Sequence, residues 1–395
     1  MSEFAKLGHY RGPSASLAPT RFPVKHCHRM PKSKSADGHS RAPKSKKPVG
    51  LKDLAEYLGL SPATVSLVMN GSPVADTIAR DTKELIFAAA RKFNYRPNFF
   101  ARCLRSGRSF TIGVMVPEVS EGYNATLLSG IEDHLLREGY FYLVASHRFR
   151  QDLIDEYAQI FMHRSVDGLI VVNTRWQQEL PIPVVTVSSH DAVPGVTGIV
   201  LDHRRAAHVA LRHLVELGHR RIAVIKGQAF VPDTDVRWQA IAEAAAELGV
   251  PILPALTAQI ESNSPSPELG YRVTQELLAA GETFTALFAF NDVCAIGAIR
   301  ALHDAGLRVP QDVSVVGFDD IESAAYQNPG LTTVQQPLRE MGRMAAETVL
   351  RRVLRPSPES ERGSRIVVEP ELIVRGTTSV AASPKEKPRT APRRK

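Results

Sequence analysis

Cysteine is scarce in this 395-residue chain: Cys27, Cys103 and Cys294 lie far apart and in no metal-ligand spacing. That excludes a disulfide framework and a cysteine zinc site, and it suits a reducing compartment. Long hydrophobic runs are missing too. No apolar stretch approaches the roughly 18 residues of a membrane span. The basic N-terminus is followed by no apolar segment of signal-peptide type, so the expectation is a soluble, cytoplasmic protein without a membrane partner. No GxxxxGK phosphate loop occurs. His134, His208, His213 and His219 are scattered on helical patterns without an adjacent nucleophile or a metal-ligand spacing. Neither an enzyme, nor a bound metal, nor a cofactor is expected, and His213 and His219 read as structural.

What the chain does have is an uneven charge. Residues 1–48 carry 11 Lys and Arg against 2 acidic residues, a net of +9. Residues 49–109 carry a net of +4, residues 110–380 a net of −10, and residues 381–395 a net of +5. A polyanion would therefore meet the N-terminal third, because a field of one sign attracts a phosphate backbone without reading its sequence. Basic tails that only aid solubility would give the same count, and both readings stay open on charge alone.

Residues 1–46, rich in Pro, Ser, Lys, Arg and His, show no apolar period and are expected to be disordered, as are residues 381–395. From Leu51 a helical period sets in, with Leu54 and Leu58 on one face and Gly59 as its stop. Ser61-Pro62 combines an N-cap with a first-turn proline. The helix it opens turns Val65, Val68 and Met69 inward and ends at Asn70-Gly71. A third helix is expected from Asp76-Thr77, with Leu85, Ala89 and Phe93 four apart, broken at Arg96-Pro97. Three short helices with a tight glycine turn fit a helix-turn-helix over residues 47–96. A plain three-helix bundle would show the same period.

Residues 110–380 change rhythm. Apolar runs expected as strands at 110–116, 140–145, 168–172, 184–187, 222–225, 286–290 and 313–316 alternate with helical stretches ending at Gly139, Gly218 and Gly249. This alternation predicts parallel sheets covered on both faces, and its restart near residue 200 predicts two similar α/β lobes. Ligands in such folds bind beyond the carboxyl ends of the strands.

Six segments in order resemble the lactose/galactose repressor (LacI/GalR) family: LKDLAEYLGLSPATVSLVMN (51–70), NYRPNFFARCLRSGRSFTIGV (94–114), VDGLIVV (166–172), HLVELGHRRIAVIKG (213–227), FNDVCAIGAIRALHDAGLRVPQDVSVVGFDD (290–320) and LTTVQQPLREMG (331–342). The resemblance covers about residues 49–378. It implies an α/β protein: an N-terminal all-α helix-turn-helix domain, a hinge helix over 97–109, and a two-lobed, periplasmic-binding-protein-like core of parallel sheets at 110–380. The implied function is that of a transcription regulator, expected to be a repressor. It would pair as a homodimer on palindromic double-stranded operator DNA, controlled by a small-molecule effector, a sugar or sugar derivative, held between the lobes. No heptad tail follows residue 378, which favours a dimer over a tetramer.

The resemblance also nominates residues. A recognition helix places its N-terminal end against base edges. Here that end offers Ser61, Pro62, Ala63, Thr64, Ser66, Leu67 and Asn70. Pro62 and Ala63 can supply only apolar contact, for example to a thymine methyl. Leu67 stands where many relatives carry an arginine, so the bidentate guanine contact is not expected. Leu104, in ARCL, matches the leucine that wedges into the minor groove, where an apolar side chain can unstack a base step, and Arg102 is expected near phosphate. In the core, Arg237, Asn291 and Asp319 match effector contacts, with Tyr123 and His190 as further candidates. Asn291 could equally be a helix cap, and Asp319-Asp320 a turn cap. Glu121-Gly122-Tyr123 departs from the family's Asn-Pro-Phe. A periplasmic sugar-binding protein would share the core but would have a signal peptide and no Ser61–Asn70 helix. A nucleoid-coating protein would need no acidic core.

Overall fold

A computed structural model describes residues 49–95, 103, 106–120, 122–262, 264, 266–355 and 364–381. The two tails and the hinge candidates Arg102 and Leu104 lie outside the described residues. The chain divides into two compact units, residues 1–97 and 98–395.

The first unit holds α1 (Leu51–Leu58), α2 (Pro62–Met69), a 3-10 turn (Pro73–Thr77) and α3 (Arg80–Lys92). Gly59 closes α1 in the left-handed region at φ 65°, a conformation that costs a side-chain-bearing residue but not glycine. Leu54, Val65, Val68 and Ile86 are fully or nearly fully buried in one cluster, each contributing on the order of 1.5–3 kcal/mol. The third helix starts later than the sequence pattern predicts, because Pro73 opens the 3-10 turn instead. Its inward face is Ile86, Ala89 and Ala90, and Leu85 is exposed.

The second unit contains two six-stranded sheets. The first lobe has β1 (Thr111–Val116), β2 (Phe141–Ser146), β3 (Gly168–Val172), β4 (Val184–Val187) and β5 (Val196–Leu201). Its helices are α4 (Gly122–Arg137) and α5 (Gln151–His163). The second lobe holds α6 (His203–Glu216), β6 (Ile222–Lys226), α7 (Pro232–Glu247), β7 (Thr257–Gln259) and α8 (Pro267–Ala279). It continues with β8 (Ala286–Phe288), α9 (Asp292–Asp304), β9 (Ser314–Asp319), α10 (Glu322–Ala325) and β10 (Thr332–Gln335). The chain then returns: α11 (Leu338–Leu354) packs on the first lobe, β11 (Arg365–Val368) joins the first sheet, and β12 (Glu371–Ile373) joins the second.

Strand order is β11-β5-β4-β3-β1-β2 in one sheet and β12-β10-β9-β8-β6-β7 in the other. Both contain the same 2-1-3-4-5 winding, so the repeat expected near residue 200 is present. All described pairings are parallel except β10 with β12. The backbone passes between lobes three times, near residues 202, 336 and 370. Where the lead helices of each lobe cross, glycine permits backbone contact: a Cβ on Gly130 would sit 1.9 Å from the Arg339 carbonyl, and one on Gly297 1.8 Å from that of Pro267. His219 is buried and ties Thr285 Oγ1 (2.9 Å) and Ser314 Oγ (3.0 Å) to the closing segment, and His213 reaches Thr378 Oγ1 at 3.0 Å. Both histidines serve the fold. No described helix is long and apolar enough to cross a membrane.

Candidate functional site

Two surfaces carry the nominated residues, one in each unit. In the first, Ser61 caps α2: its Oγ accepts from Thr64 N at 3.1 Å and lies 2.8 Å from Thr64 Oγ1. Ser61, Pro62 and Ala63 are exposed at the helix start, where backbone N–H groups and the helix dipole favour a phosphate. Asn70 Nδ2 donates to the Ser66 carbonyl at 2.7 Å and to Ser66 Oγ at 3.2 Å, which fixes two polar side chains on one face. Leu67 is half-buried against the helical core, so part of its apolar surface is already used by the fold.

In the second unit, a cavity of about 310 Å³ opens between the lobes. Its walls come from the carboxyl ends of strands flanking the order reversal in each sheet: Glu118 after β1, Arg148 and Phe149 after β2, Asn173 after β3, Gln228 after β6, Phe290 and Asn291 after β8, and Asp319 closing β9. This is the crevice that doubly wound sheets leave for ligands. Tyr123 from α4 and Asp233 and Arg237 from α7 complete it.

Arg237 is the organising group. Its guanidinium lies 3.7 Å from the Phe318 ring centroid and 4.5 Å from that of Phe290, a cation–π sandwich in a desolvated setting. It donates to the Phe290 carbonyl and, at 3.2 Å, to Asp233 Oδ2. Burial alone would raise the Asp233 pKa, but the surrounding histidines and Arg237 outweigh it and hold the carboxyl well below its usual range. His190 Nε2 meets the other oxygen, Asp233 Oδ1, at 2.7 Å. Tyr123 is buried with its hydroxyl 2.7 Å from Ser188 Oγ. Burial, with Asp233 and Asp319 nearby, pushes its phenol well above the ordinary value, so it stays neutral. Asp319 is buried, adopts φ 113°, and accepts from Gln336 Nε2 at 2.7 Å. A non-glycine residue in that region is strained, and such strain clusters at ligand sites. Asp320 instead serves the fold, paired with Arg375 at 2.7 Å.

Of the five nominated pocket residues, Tyr123, Arg237, Asn291 and Asp319 line the cavity. His190 does not and reaches it only through Asp233. Asn291 does both expected jobs, capping α9 through Cys294 N at 2.9 Å while facing the cavity. Sequence reasoning missed Asp233, Asn173 and the Arg148-Phe149 loop. The only available signal for Asp233 was its i,i+4 spacing from Arg237.

Comparison with known proteins fits this geometry. Residues 50–98 match the description "Bacterial regulatory proteins, lacI family", and residues 211–378 match a periplasmic binding protein-like domain. The HTH-type transcriptional repressor PurR of Haemophilus influenzae is 32% identical over 335 residues, covering 82% of this chain and 97% of that protein. The lac repressor dimer bound to operator and the anti-inducer ONPF superposes with a TM-score of 0.74 at 27% identity, covering 84% of this chain and all of that one. The transcriptional regulator CelR in complex with cellobiose gives a TM-score of 0.62 at 27% identity, covering 83% and 99%. With a helix-turn-helix in one unit and a two-lobed cleft in the other, the chain belongs to the lacI family of bacterial regulatory proteins and is a DNA-binding transcriptional regulator.

Proposed function

We propose that the chain is a cytoplasmic, homodimeric repressor that reads a palindromic operator with α2 and releases or tightens its grip when a polyhydroxylated small molecule, of the sugar class, fills the cleft. Ser61, Pro62, Ala63, Thr64, Ser66, Leu67 and Asn70 would meet the operator, together with Arg102 and Leu104 of the hinge. The cavity would bind rather than transform its ligand, and it would do so without a cofactor.

One observation carries the ligand class. The cavity wall holds buried polar atoms that lack protein partners, the acceptor Asn173 Oδ1 and the donor Arg237 Nε. An unpaired buried polar group costs about 1–3 kcal/mol, so a ligand supplying both donors and acceptors recovers that cost. Sugar hydroxyls do both at once, and the rings of Phe149, Phe290 and Tyr123 offer apolar faces for the C–H side of a pyranose. The similar CelR structure is a complex with cellobiose, which supports the class and leaves the individual sugar open.

The test starts with DNA. Purified protein selects bound sequences from a random duplex pool at near-physiological salt, and the recovered palindrome becomes the probe for a sugar screen. Recovery of a palindrome whose occupancy changes with one sugar supports the reading. Salt-sensitive binding with no recovered motif would mean that the basic tails dominate, and the operator reading would be withdrawn.

A further inference from the structure

Behind the cavity wall, three ligand-type side chains from different parts of the fold converge. His190 follows β4 in the first lobe, His203 opens α6 on the crossover, and Asp233 lies in the first turn of α7 in the second lobe. They are 13 and 30 positions apart in sequence, which is why no metal-ligand spacing shows in the primary structure. One ligand atom from each lies within 4.8 Å of the other two. We propose that His190, His203 and Asp233 bind a divalent transition-metal ion of the zinc class, seated beside the cleft and joining the two lobes.

The donor set fits. Two imidazoles and one carboxylate are zinc-type ligands, leaving a fourth position for water or a ligand oxygen. With metal–ligand bonds of about 2.0–2.1 Å, ligand atoms of a tetrahedral site stand roughly 3.3 Å apart. His203 Nε2 and Asp233 Oδ1 are already 3.3 Å apart. His190 Nε2, at 2.7 Å from the same oxygen, has to withdraw by about 0.6 Å to match that spacing, a shift that a rotamer adjustment on a loop can supply.

An independent observation points the same way. His203 is almost completely buried, and neither ring nitrogen completes a hydrogen bond of good geometry. Among the described residues Nδ1 has no partner and Nε2 has only the Asp233 carboxylate at 3.3 Å, so this buried imidazole is under-satisfied, which calls for a bound group. Arg237 occupies Asp233 Oδ2 and leaves Oδ1 turned toward the histidines, the orienting job an outer-shell partner performs. Its positive charge opposes a cation, but Asp319 and Asp233 supply two carboxylates against it, both close enough to act on Tyr123. Asp233 and Asp319 against Arg237 leave these three side chains with a net of one negative charge. An ion held by His190 and Asp233 together would favour the arrangement in which the lobes are closed.

The test uses the full chain, stripped with EDTA, without DNA or effector, so that its failure is separate from that of the effector reading. Zinc also attaches adventitiously to histidines and free thiols elsewhere, including Cys27 in the N-terminal tail, so the comparison is with His203→Asn and His190→Gln. Wild type should bind one more zinc ion per chain than either variant. The affinity lost should exceed the roughly 10–100-fold that an outer-shell change costs, and zinc should raise the melting temperature in wild type alone. Cobalt(II) should give visible tetrahedral bands without the sulfur charge transfer that a Cys27 site would add. Equal stoichiometry in all three proteins, or wild type with no zinc-dependent melting shift, would overturn the site. Should the variants fail to fold, wild-type cobalt spectra lacking sulfur-free tetrahedral bands would overturn it as well.

Discussion

His147 offers a pH test of the loop that carries Arg148 and Phe149 to the cavity. Its ring is fully buried. Thr174 Oγ1 donates to the Val172 carbonyl at 2.6 Å and so accepts from His147 Nε2 at 2.8 Å. His147 Nδ1 in turn accepts from Phe149 N at 3.1 Å. The ring is therefore the neutral Nε2–H tautomer, and a proton on Nδ1 would face the Phe149 N–H. Burial pushes its pKa down from 6.5 to about 4. The unfolded chain takes up a proton below pH 6.5 that the folded chain refuses until about pH 4, so this contribution is intact above pH 6.5 and is lost as pH falls through that window. At about 1.4 kcal/mol per pH unit, the loss reaches about 3 kcal/mol. His203, His213 and His219 are displaced in the same direction, so the informative quantity is a difference. Urea melts of wild type and His147→Gln between pH 7 and pH 4 should show wild type losing up to about 3 kcal/mol more than the variant. Parallel curves would refute the argument, since no His147 protonation would then be linked to folding.

Asp292 should show the opposite sign. It is buried under Ile321 N (2.9 Å) and Thr333 Oγ1 (2.5 Å), and burial raises its pKa from 3.8 to about 7. Its contribution is complete below pH 3.8 and lost as pH rises through 7, so the stability advantage of wild type over Asp292→Asn should shrink by up to about 3 kcal/mol between pH 4.5 and 8. A constant difference across that range removes the assignment. Gly297→Ala, which drives a Cβ into the Pro267 carbonyl, should cost about 3 kcal/mol, the upper end for overpacking; a thermal melt within a degree of wild type would show that α8 and α9 can separate freely. Asp319→Ala should abolish the response to effector in a gel-shift titration while operator affinity stays within about twofold, and a normal response would remove Asp319 from the pocket. Leu104→Ala should weaken operator binding more than binding to random duplex, as loss of a base-step wedge requires; equal losses on both would exclude the wedge.

The parts of the fold legible in the sequence are those where one local rule dominates. Continuous apolar runs mark strands buried on both faces, so β3 and β4 fall where the sequence predicts them, to the residue. Ser61-Pro62 and Gly59 mark helix ends by their own backbone chemistry. The strands that escaped, β5, β7, β10, β11 and β12, are short, polar or interrupted, such as TAQ and TTVQ, and owe their pairing to neighbours rather than to a period. The triple crossing between lobes has no local signature at all. The same holds within the site. Arg237 and Asp319 stand in recognisable motifs. Asp233 and His203 acquire meaning only when closure of the lobes brings them together with His190, a contact spanning 43 positions of sequence.

That closure decides whether a ligand can control DNA binding. An effector shifts an equilibrium only through interactions that differ between the two states, and moving a population from 1:99 to 99:1 takes about 5.5 kcal/mol of such difference. Contacts to one lobe alone contribute nothing to it, because they survive opening. The cleft places Tyr123, Asn173 and Phe149 on one lobe opposite Arg237, Asn291 and Asp319 on the other. A ligand bound to Arg237 and Asp319 gains its first-lobe contacts only when both walls are present: hydrogen bonds to the neutral Tyr123 and Asn173, at about 0.5–1.5 kcal/mol each, and apolar burial against Phe149. The two hydrogen bonds alone fall short of the required difference, so apolar burial has to supply the rest. The described arrangement of the lobes has the ring contact of Phe149 with Phe230 (5.0 Å), the Arg175–Asp235 pair (3.4 Å) and the His190–Asp233 bond. The Arg175–Asp235 pair is exposed and weak. The buried Asp233 cluster joins groups from both lobes and borders the cavity through Asp233, so occupancy of the cleft can be felt by both lobes there.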